Sequence, residues 1–342
     1  MSKPYVSGNL KKKVNVRLNI VILIISLIAS FVLLDVFVRI FRLAPEVTSI
    51  EINKPYGIFI SSDNPRLKYV PKPNCGDINK YGIRDRFYSI DKPNDVFRIL
   101  VLGDSIGFGL CTDKEILRVE DTFAKVLERE LNQVSFSNFK SVEVINLSVS
   151  GYDTIQEVEF LKEKGLIMQP DIVIIAYCLN DSLDASAELG AFRKNEKWIW
   201  NYAKNIYLKS SLTRVVYYRL KLLKDKIIRR FGEKIGRDRT YVGFKELRSL
   251  SDKYKFKTLV VIFPLFEDWN NYSRIKIHEK VQLEAKNNNF YCLDLYPIFK
   301  EESGGNFRSL QGRCSREHLD ECGHKAAAFA IKKYILDHES IK

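Results

Sequence analysis

Five short runs of apolar, mostly β-branched residues alternate with segments of helical period in the last two thirds of the chain. The runs cover residues 97–102, 142–146, 171–176, 258–263 and 290–293. The main helical segments cover residues 120–131, 154–164, 274–286 and 321–336. Because alternating strands and helices require crossover connections, the pattern predicts a mostly parallel sheet with helices on both faces. In such sheets ligands bind beyond the carboxyl ends of the strands, so functional residues should directly follow strands.

One apolar segment precedes this pattern near the N-terminus. Residues 18–34 carry no charge, and residues 36–38 extend the segment past Asp35 to the roughly 20 residues that a bilayer core requires. Four basic residues between positions 11 and 17 stand directly before it, which predicts a single-pass anchor with a cytoplasmic N-terminus and an exported remainder. A cleaved signal peptide and a buried core helix are the alternatives, but no cleavage site made of small residues follows the segment.

These signals together predict the domain organisation. We expect a basic cytoplasmic tail over 1–17, a transmembrane signal anchor over 18–38 and a proline-rich linker with a loop-rich lead-in over 39–95. An α/β domain follows over 96–342. The interval between its third and fourth strands is long for a crossover, so we expect a lid-like insertion at about 185–250.

The charge distribution narrows the class of partner. The net charge is +13, and residues 193–239 contain fifteen basic residues against four acidic ones. In a membrane-tethered chain, such local basic segments indicate anionic headgroups or an anionic polymer as partners and argue against nucleic acid. Apolar residues recur at helical spacing from 208 to 231, which predicts a helix that either lies on a membrane surface or packs its apolar face on the core.

The six cysteines show no spacing that is typical of a metal site, so we predict neither a metal nor another cofactor. An exported domain permits disulfides. The short interval between Cys314 and Cys322 makes this pair the predicted bridge, because it would close a small loop.

The residues that follow the strands suggest a chemistry. Gly103, Asp104 and Ser105 form a strand-to-helix turn, which would expose the serine hydroxyl beside free backbone amides that favour developing negative charge. A simple helix cap is the alternative for this triplet. Gly151 follows the second strand, where its backbone can approach a ligand closely, and Asn180 follows the third, where its amide can face an oxyanion.

Ser105, Gly151, Asn180 and His318 occur in the order of the four named sequence blocks of the SGNH or GDSL hydrolase superfamily, which the chain resembles from about residue 97 to residue 336. The resemblance implies a three-layer, flavodoxin-like α/β fold. It also implies Ser105 as the nucleophile and His318 as the general base. The oxyanion hole would consist of the backbone amides of Ser105 and Gly151 and the side chain of Asn180.

The chain departs from the family pattern at one position. The family has an acid three residues before the histidine, whereas this chain has Ser315. The Ser315 hydroxyl or a backbone carbonyl could still orient the ring of His318, since orienting the base is the main task of the acid. The other histidines are weaker candidates: His324 fits a cap or packing role, His278 a surface or packing role, and His338 lies in the terminal tail.

The predicted function is therefore an esterase or deacylase that removes an acyl or acetyl group from a cell-envelope glycan or lipid through an acyl-enzyme on Ser105. Two alternatives stay open. An O-acyltransferase would use the same fold and nucleophile, and a catalytically silent envelope protein would bind the glycan or lipid without reacting.

Overall fold

The computed structural model describes residues 8–44, 58–112, 115–136, 138–179, 209–315 and 317–341. The chain forms two compact units, Met1–Thr48 with Asn195–Ile228 and Ser49–Lys194 with Arg229–Lys342. The helices are α1 Gly8–Ile40, α2 Ser105–Phe108, α3 Phe123–Leu131, α4 Thr154–Phe160, α5 Ser211–Tyr254, α6 Ile275–Asn287, α7 Leu295–Glu302, α8 Arg308–Gln311 and α9 Glu321–Asp337. The strands are β1 Phe59–Ser61, β2 Tyr69–Pro71, β3 Val96–Gly103, β4 Leu110–Thr112, β5 Glu115–Ile116, β6 Ser141–Asn146, β7 Ile172–Cys178, β8 Lys257–Phe263 and β9 Tyr291–Asp294.

The first unit contains α1 and the beginning of α5. The stretch Val16–Ile40 is helical, apolar and long enough to cross a membrane, and most of its side chains are exposed. Asp35 interrupts its apolar character but is not left unpaired. Its carboxylate accepts hydrogen bonds from the Ser210 hydroxyl and the Leu212 backbone N–H, both at 2.8 Å, and from Arg39 at 3.0 Å. Asp35 thereby supplies an acceptor for a free amide at the start of α5.

The second unit is built on a five-stranded parallel sheet with the strand order β6-β3-β7-β8-β9. Every residue of β3 and β7 is buried, as expected for central strands that are covered on both faces. The five sheet strands lie within two residues of the five predicted runs. In chain order the arrangement reads 2-1-3-4-5, which is the flavodoxin-like order, so the predicted fold class is confirmed.

The strand order fixes where a site can form. The chain leaves β3 for β6 on one side and then returns past β3 to β7 on the other. Right-handed crossovers in opposite directions place helices on opposite faces of the sheet, which gives three layers. The reversal also opens a crevice at the carboxyl ends of β3 and β7, and the turn that carries Ser105 directly follows β3.

The segment before β3, predicted as a loop-rich lead-in, contains the antiparallel hairpin of β1 and β2. Tyr69 in β2 is buried, and its hydroxyl donates to the Ser150 carbonyl at 2.7 Å. The predicted insertion at about 185–250 lies partly outside the described residues. Its described part is helical from Ser211 onward, in agreement with the helical spacing of the sequence.

Candidate active site

The nucleophile turn forms where β3 ends. Asp104 caps the short helix α2, and its carboxylate accepts the backbone N–H of Ile106 at 3.0 Å. Ser105 is the first residue of α2 and is 8% exposed. The helix cap that we considered as an alternative role for this triplet is therefore supplied by Asp104. The hydroxyl of the adjacent Ser105 is left for another contact.

His318 meets Ser105 across a sequence separation of 213 residues. The distance between the His318 Nε2 and the Ser105 Oγ is 2.9 Å, which is a hydrogen bond. His318 is also 8% exposed, so both side chains are largely removed from solvent. A base nitrogen at this distance from a hydroxyl has the geometry that proton abstraction requires.

Two neutral groups contact the imidazole besides the Ser105 hydroxyl. The Ser315 Oγ lies 2.5 Å from the His318 Nδ1. The backbone carbonyl of Cys111 also hydrogen-bonds to the ring, and it accepts the Ser315 backbone N–H at 2.8 Å. The Ser315 hydroxyl thus contacts the ring nitrogen that faces away from Ser105. Whether the hydroxyl or the carbonyl orients the ring stays a prediction.

Burial controls the protonation of this histidine. Removal from water lowers the pKa of His318 to about 4, and the hydrogen bond to the Cys111 carbonyl acts in the opposite direction. A neighbouring carboxylate would raise the pKa, but the hydrogen-bonding groups found at the ring in the described part of the chain are uncharged. The imidazole is therefore neutral over the whole physiological pH range, as a general base must be.

Of the two other predicted site residues, the structure describes Gly151 but not Asn180. Gly151 follows β6 by a short loop and has a φ of 78°, a left-handed conformation that favours glycine. The Ser150 carbonyl beside it is held by the Tyr69 hydroxyl. Asn180 lies just outside the described residues, which reach Leu179 after β7. The roles of both residues stay predictions.

The disulfide predicted from the sequence is wrong. Cys314 pairs with Cys111, at an S–S distance of 2.03 Å and a Cα–Cα distance of 4.5 Å, and not with Cys322. Cys322 is a free, exposed thiol in the first turn of α9. That turn is fixed by Asp320, which accepts the Gly323 N–H, so the short loop directs the two side chains apart and Cys314 faces the buried Cys111 instead.

A buried carboxyl lies near the nucleophile turn. Glu157 in α4 is 2% exposed, and neither of its carboxyl oxygens has a hydrogen-bond partner among the described residues. Burial raises its pKa well above the usual range, and the charges of Asp104 and Asp153 add to the effect. Asp153 itself caps α4 and is paired with Arg239. Glu157 is therefore held as a neutral acid in the folded protein.

The sequence did not indicate that the lead-in supports the site. Arg84 is buried, and its guanidinium donates to the Phe108 carbonyl at 2.7 Å and to the Leu117 carbonyl. Phe108 ends α2, so Arg84 satisfies a free carbonyl at the end of the nucleophile helix. The segment has no periodicity that would predict this contact. A buried arginine in a proline-rich stretch leaves no signal in a single sequence.

Two further histidines have structural surroundings. The Nδ1 of His324 accepts the Phe123 backbone N–H at 3.0 Å at the start of α3, which confirms the predicted cap or packing role. His278 is buried, so of the two roles considered for it, packing is right and surface is wrong. Its ring bridges Tyr272 and Asp294 at 2.9 and 2.8 Å.

The chain is similar to several solved hydrolase structures. For a lipase/acylhydrolase from Enterococcus faecalis the identity is 18%, the TM-score is 0.43, and the match covers 70% of this chain and 95% of that one. For a lipolytic protein of the G-D-S-L family from Desulfitobacterium hafniense the identity is 13% and the TM-score is 0.42, and the match covers 70% of this chain and 99% of that one. For an acetylxylan esterase from Geobacillus stearothermophilus the identity is 17% and the TM-score is 0.42, and the match covers 69% of this chain and 93% of that one. No protein-family model matches the chain, and none of the curated proteins matches it. These low identities and TM-scores leave the activity to be argued from the geometry of the site.

Proposed function

We propose that the chain is a serine hydrolase of the SGNH type that cleaves an acyl or acetyl ester, with Ser105 as nucleophile and His318 as general base. The observation that carries this proposal is the 2.9 Å hydrogen bond between the Ser105 Oγ and the His318 Nε2. It joins two residues that are 213 positions apart, at the edge of the sheet where ligands bind in this fold. A chance cap or packing contact would not require this pairing.

The reaction follows from the contacts of the ring. For Nε2 to accept the serine proton, the ring proton must reside on Nδ1. A carbonyl can only accept, so the Cys111 carbonyl favours a ring N–H on the side away from Ser105. The Ser105 Oγ then attacks the ester carbon, its proton passes to Nε2, and the alcohol leaves with that proton. Water hydrolyses the resulting acyl-enzyme with the same base.

The negative oxygen that forms during the attack requires donors. We assign this role to the backbone N–H groups of Ser105 and Gly151 and to the side-chain amide of Asn180. The positive φ of Gly151 supports its part of the assignment, because it permits the backbone to present its amide without a Cβ in the way. Donors of this kind contribute most when they are fixed before the reaction begins.

The neutral surroundings of His318 limit the rate. Proton transfer creates an imidazolium in a buried position, where the dipoles of the Cys111 carbonyl and the Ser315 hydroxyl stabilise it. Its pKa of about 4 also makes the imidazole a weak base. We therefore expect slow turnover. The same observation favours a second candidate, a protein that binds an acylated glycan or lipid through this crevice without reacting.

Three features support an extracytoplasmic domain on a single-pass anchor. The helical stretch Val16–Ile40 is long enough to cross a bilayer, and the basic residues before it favour a cytoplasmic N-terminus. The disulfide between Cys111 and Cys314 favours an oxidising compartment, where such bonds persist. An esterase tethered to the outer side of the membrane has the acylated glycans and lipids of the envelope within reach, which is the substrate class that we propose.

The test is active-site labelling combined with ester hydrolysis. A fluorophosphonate should label the purified full-length protein at Ser105, and p-nitrophenyl acetate should release p-nitrophenol. Ser105→Ala should abolish both signals, whereas Ser309→Ala, the same change at an exposed serine, should leave them intact. A folded protein that is never labelled would exclude the esterase and favour the silent binder. Labelling with product formed only when an acceptor glycan is supplied would indicate acyl transfer instead of hydrolysis.

A further inference from the structure

The disulfide joins the two segments that carry the reacting side chains. Cys111 lies in β4, directly after the nucleophile helix α2 and Gly109, and Cys314 directly precedes Ser315 in the loop that carries His318. The bond spans 203 positions of sequence. It therefore connects the nucleophile side of the crevice to the base side without passing through the sheet.

Among the described residues, the other links between these two segments are hydrogen bonds and an ion pair, which are individually weaker than a covalent bond. Cys111, Cys314 and Leu117 form a small apolar cluster that is separate from the main core. An ion pair between Arg313 and Glu115 also links the base loop to β5 at 2.7 Å, but the two side chains are 49% and 42% exposed. Exposed pairs of this kind contribute little to stability. The covalent bond is thus the strongest connection in this cluster.

The groups that orient the ring belong to the residues at this bond. The Cys111 carbonyl contacts the imidazole and also accepts the Ser315 N–H, while the Ser315 Oγ lies 2.5 Å from the Nδ1. Both acceptors are neutral. A neutral hydrogen bond weakens steeply with distance and angle, whereas the attraction of a carboxylate persists over several ångströms. A base held by neutral acceptors therefore needs them in fixed positions.

We propose that the disulfide between Cys111 and Cys314 positions His318 for proton transfer, by fixing the two neutral groups that orient its ring in a site that lacks the usual acid. The proposal rests on the proposed hydrolase function. It makes Cys111 and Cys314 positioning residues, since neither touches the substrate or transfers a proton. It predicts that the bond contributes to kcat and not only to stability.

The experiment compares the double variant Cys111→Ser/Cys314→Ser with the wild type and with Cys322→Ser, a matched control at the exposed free thiol. The kcat and KM for p-nitrophenyl acetate are measured at pH 8, together with the rate of fluorophosphonate labelling. A displaced base costs about 10- to 100-fold in rate, so we expect kcat and the labelling rate of the double variant to fall by this factor. The KM should change by less than about twofold, because the position of the base affects proton transfer and not the binding of the ester. The Cys322→Ser enzyme should match the wild type.

A second comparison separates orientation from general loosening. Adding Ser315→Asp to the double variant supplies a charge that holds the ring over a longer range, so it should recover part of the lost kcat. A folded double variant with wild-type kcat, or one in which only KM rises, would overturn the proposal. So would a loss of kcat that the aspartate does not relieve.

Because loss of the disulfide can also unfold the double variant, the wild type is reduced with a phosphine while its helical circular dichroism is followed. Loss of kcat before loss of the helical signal supports positioning, and loss of both together overturns it. If the oxidised wild type is never labelled at Ser105, the hydrolase function itself fails and this proposal falls with it. If it is labelled and the bond has no effect on kcat, only the positioning role fails.

Discussion

Replacing Ser315 by aspartate tests the account of the base most directly. The Ser315 Oγ lies 2.5 Å from the His318 Nδ1, so a carboxylate at this position can reach the same nitrogen. Ser315 itself is exposed, so the new charge keeps much of its hydration and costs little to introduce. The change places an acid where the family pattern has one and leaves the Ser105–His318 contact unaltered.

The size of the effect follows from the pKa of His318, which burial lowers to about 4. A carboxylate beside an imidazole raises the pKa by about 1 to 3 units, because it favours the charged ring. The stronger base should accept protons faster at pH 8, where His318 is mostly unprotonated in both enzymes. We expect a gain in kcat of about tenfold, the scale on which general-base catalysis responds to a change of this kind.

The assay is the pH profile of kcat/KM for p-nitrophenyl acetate between pH 4 and pH 9, in which the acid limb reports the free enzyme's base. The wild-type limb should lie near pH 4, so activity persists at pH 5, where an ordinary histidine would be protonated. In Ser315→Asp the limb should move up by about 1 to 3 pH units, while the plateau at pH 8 rises. Ser315→Asn, which has the same shape without the charge, should show neither change.

The reasoning would be refuted by an aspartate variant whose limb and plateau both match those of the asparagine control. That result would mean that the Cys111 carbonyl alone determines the orientation and basicity of the ring. An acid limb that moves to higher pH without a rise in the plateau at pH 8 would separate the effect on the pKa of His318 from the effect on the rate. Basicity would then be tuned by position 315, and the rate would be limited by another step.

Four further results are expected. Asn180→Ala should retain the fold and lower kcat by about 10²-fold or more, as measured by ester hydrolysis beside a thermal melt. His318→Ala should be nearly as inactive as Ser105→Ala, since nucleophile and base act as a unit, and retained activity would identify another base. Glu157→Gln should stabilise the protein increasingly as the pH rises above about 4.5, because only the unfolded wild-type chain ionises there. Thermal melts of both proteins should therefore differ more at pH 8 than at pH 4. Protease added to intact spheroplasts should digest the chain beyond residue 43, and protection of this part would contradict export.

The sheet and the nucleophile turn could be predicted from the sequence because each depends on local patterns. A buried parallel strand reads as a continuous apolar run, and the flavodoxin-like fold was implied by the family resemblance. Ser105 then lies at the carboxyl end of the strands, where ligands bind, because it follows β3 in the nucleophile turn. His318 could be chosen from four histidines since the others sit in helices or in the tail.

The disulfide could not be predicted, because its partner is determined by tertiary structure. Cys314 is near Cys322 in sequence, but the N-terminal turn of α9 directs the Cys322 side chain to solvent. Cys111 comes close only after β4 has folded beside the base loop, across 203 positions. The supporting contacts of Tyr69 and Arg84 were missed for the same reason, since a segment without periodicity gives no indication of what it packs against.

The comparison of His318 with His324 bears on whether the site reacts at all. Both rings are buried, and burial lowers both pKa values, to about 4 and about 3. The Nε2 of His324 has no hydrogen-bond partner among the described residues, and its ring stacks on Phe123, as suits a group that only fills space and caps a helix. The ring of His318 instead has a hydrogen-bonding group at both nitrogens, one of them the hydroxyl of Ser105. Packing alone does not require that pairing, whereas a base that must stay neutral, oriented and in contact with its nucleophile does. The proposed weak catalyst, whose base is held by neutral groups in place of an acid at position 315, accounts for the contacts at both nitrogens.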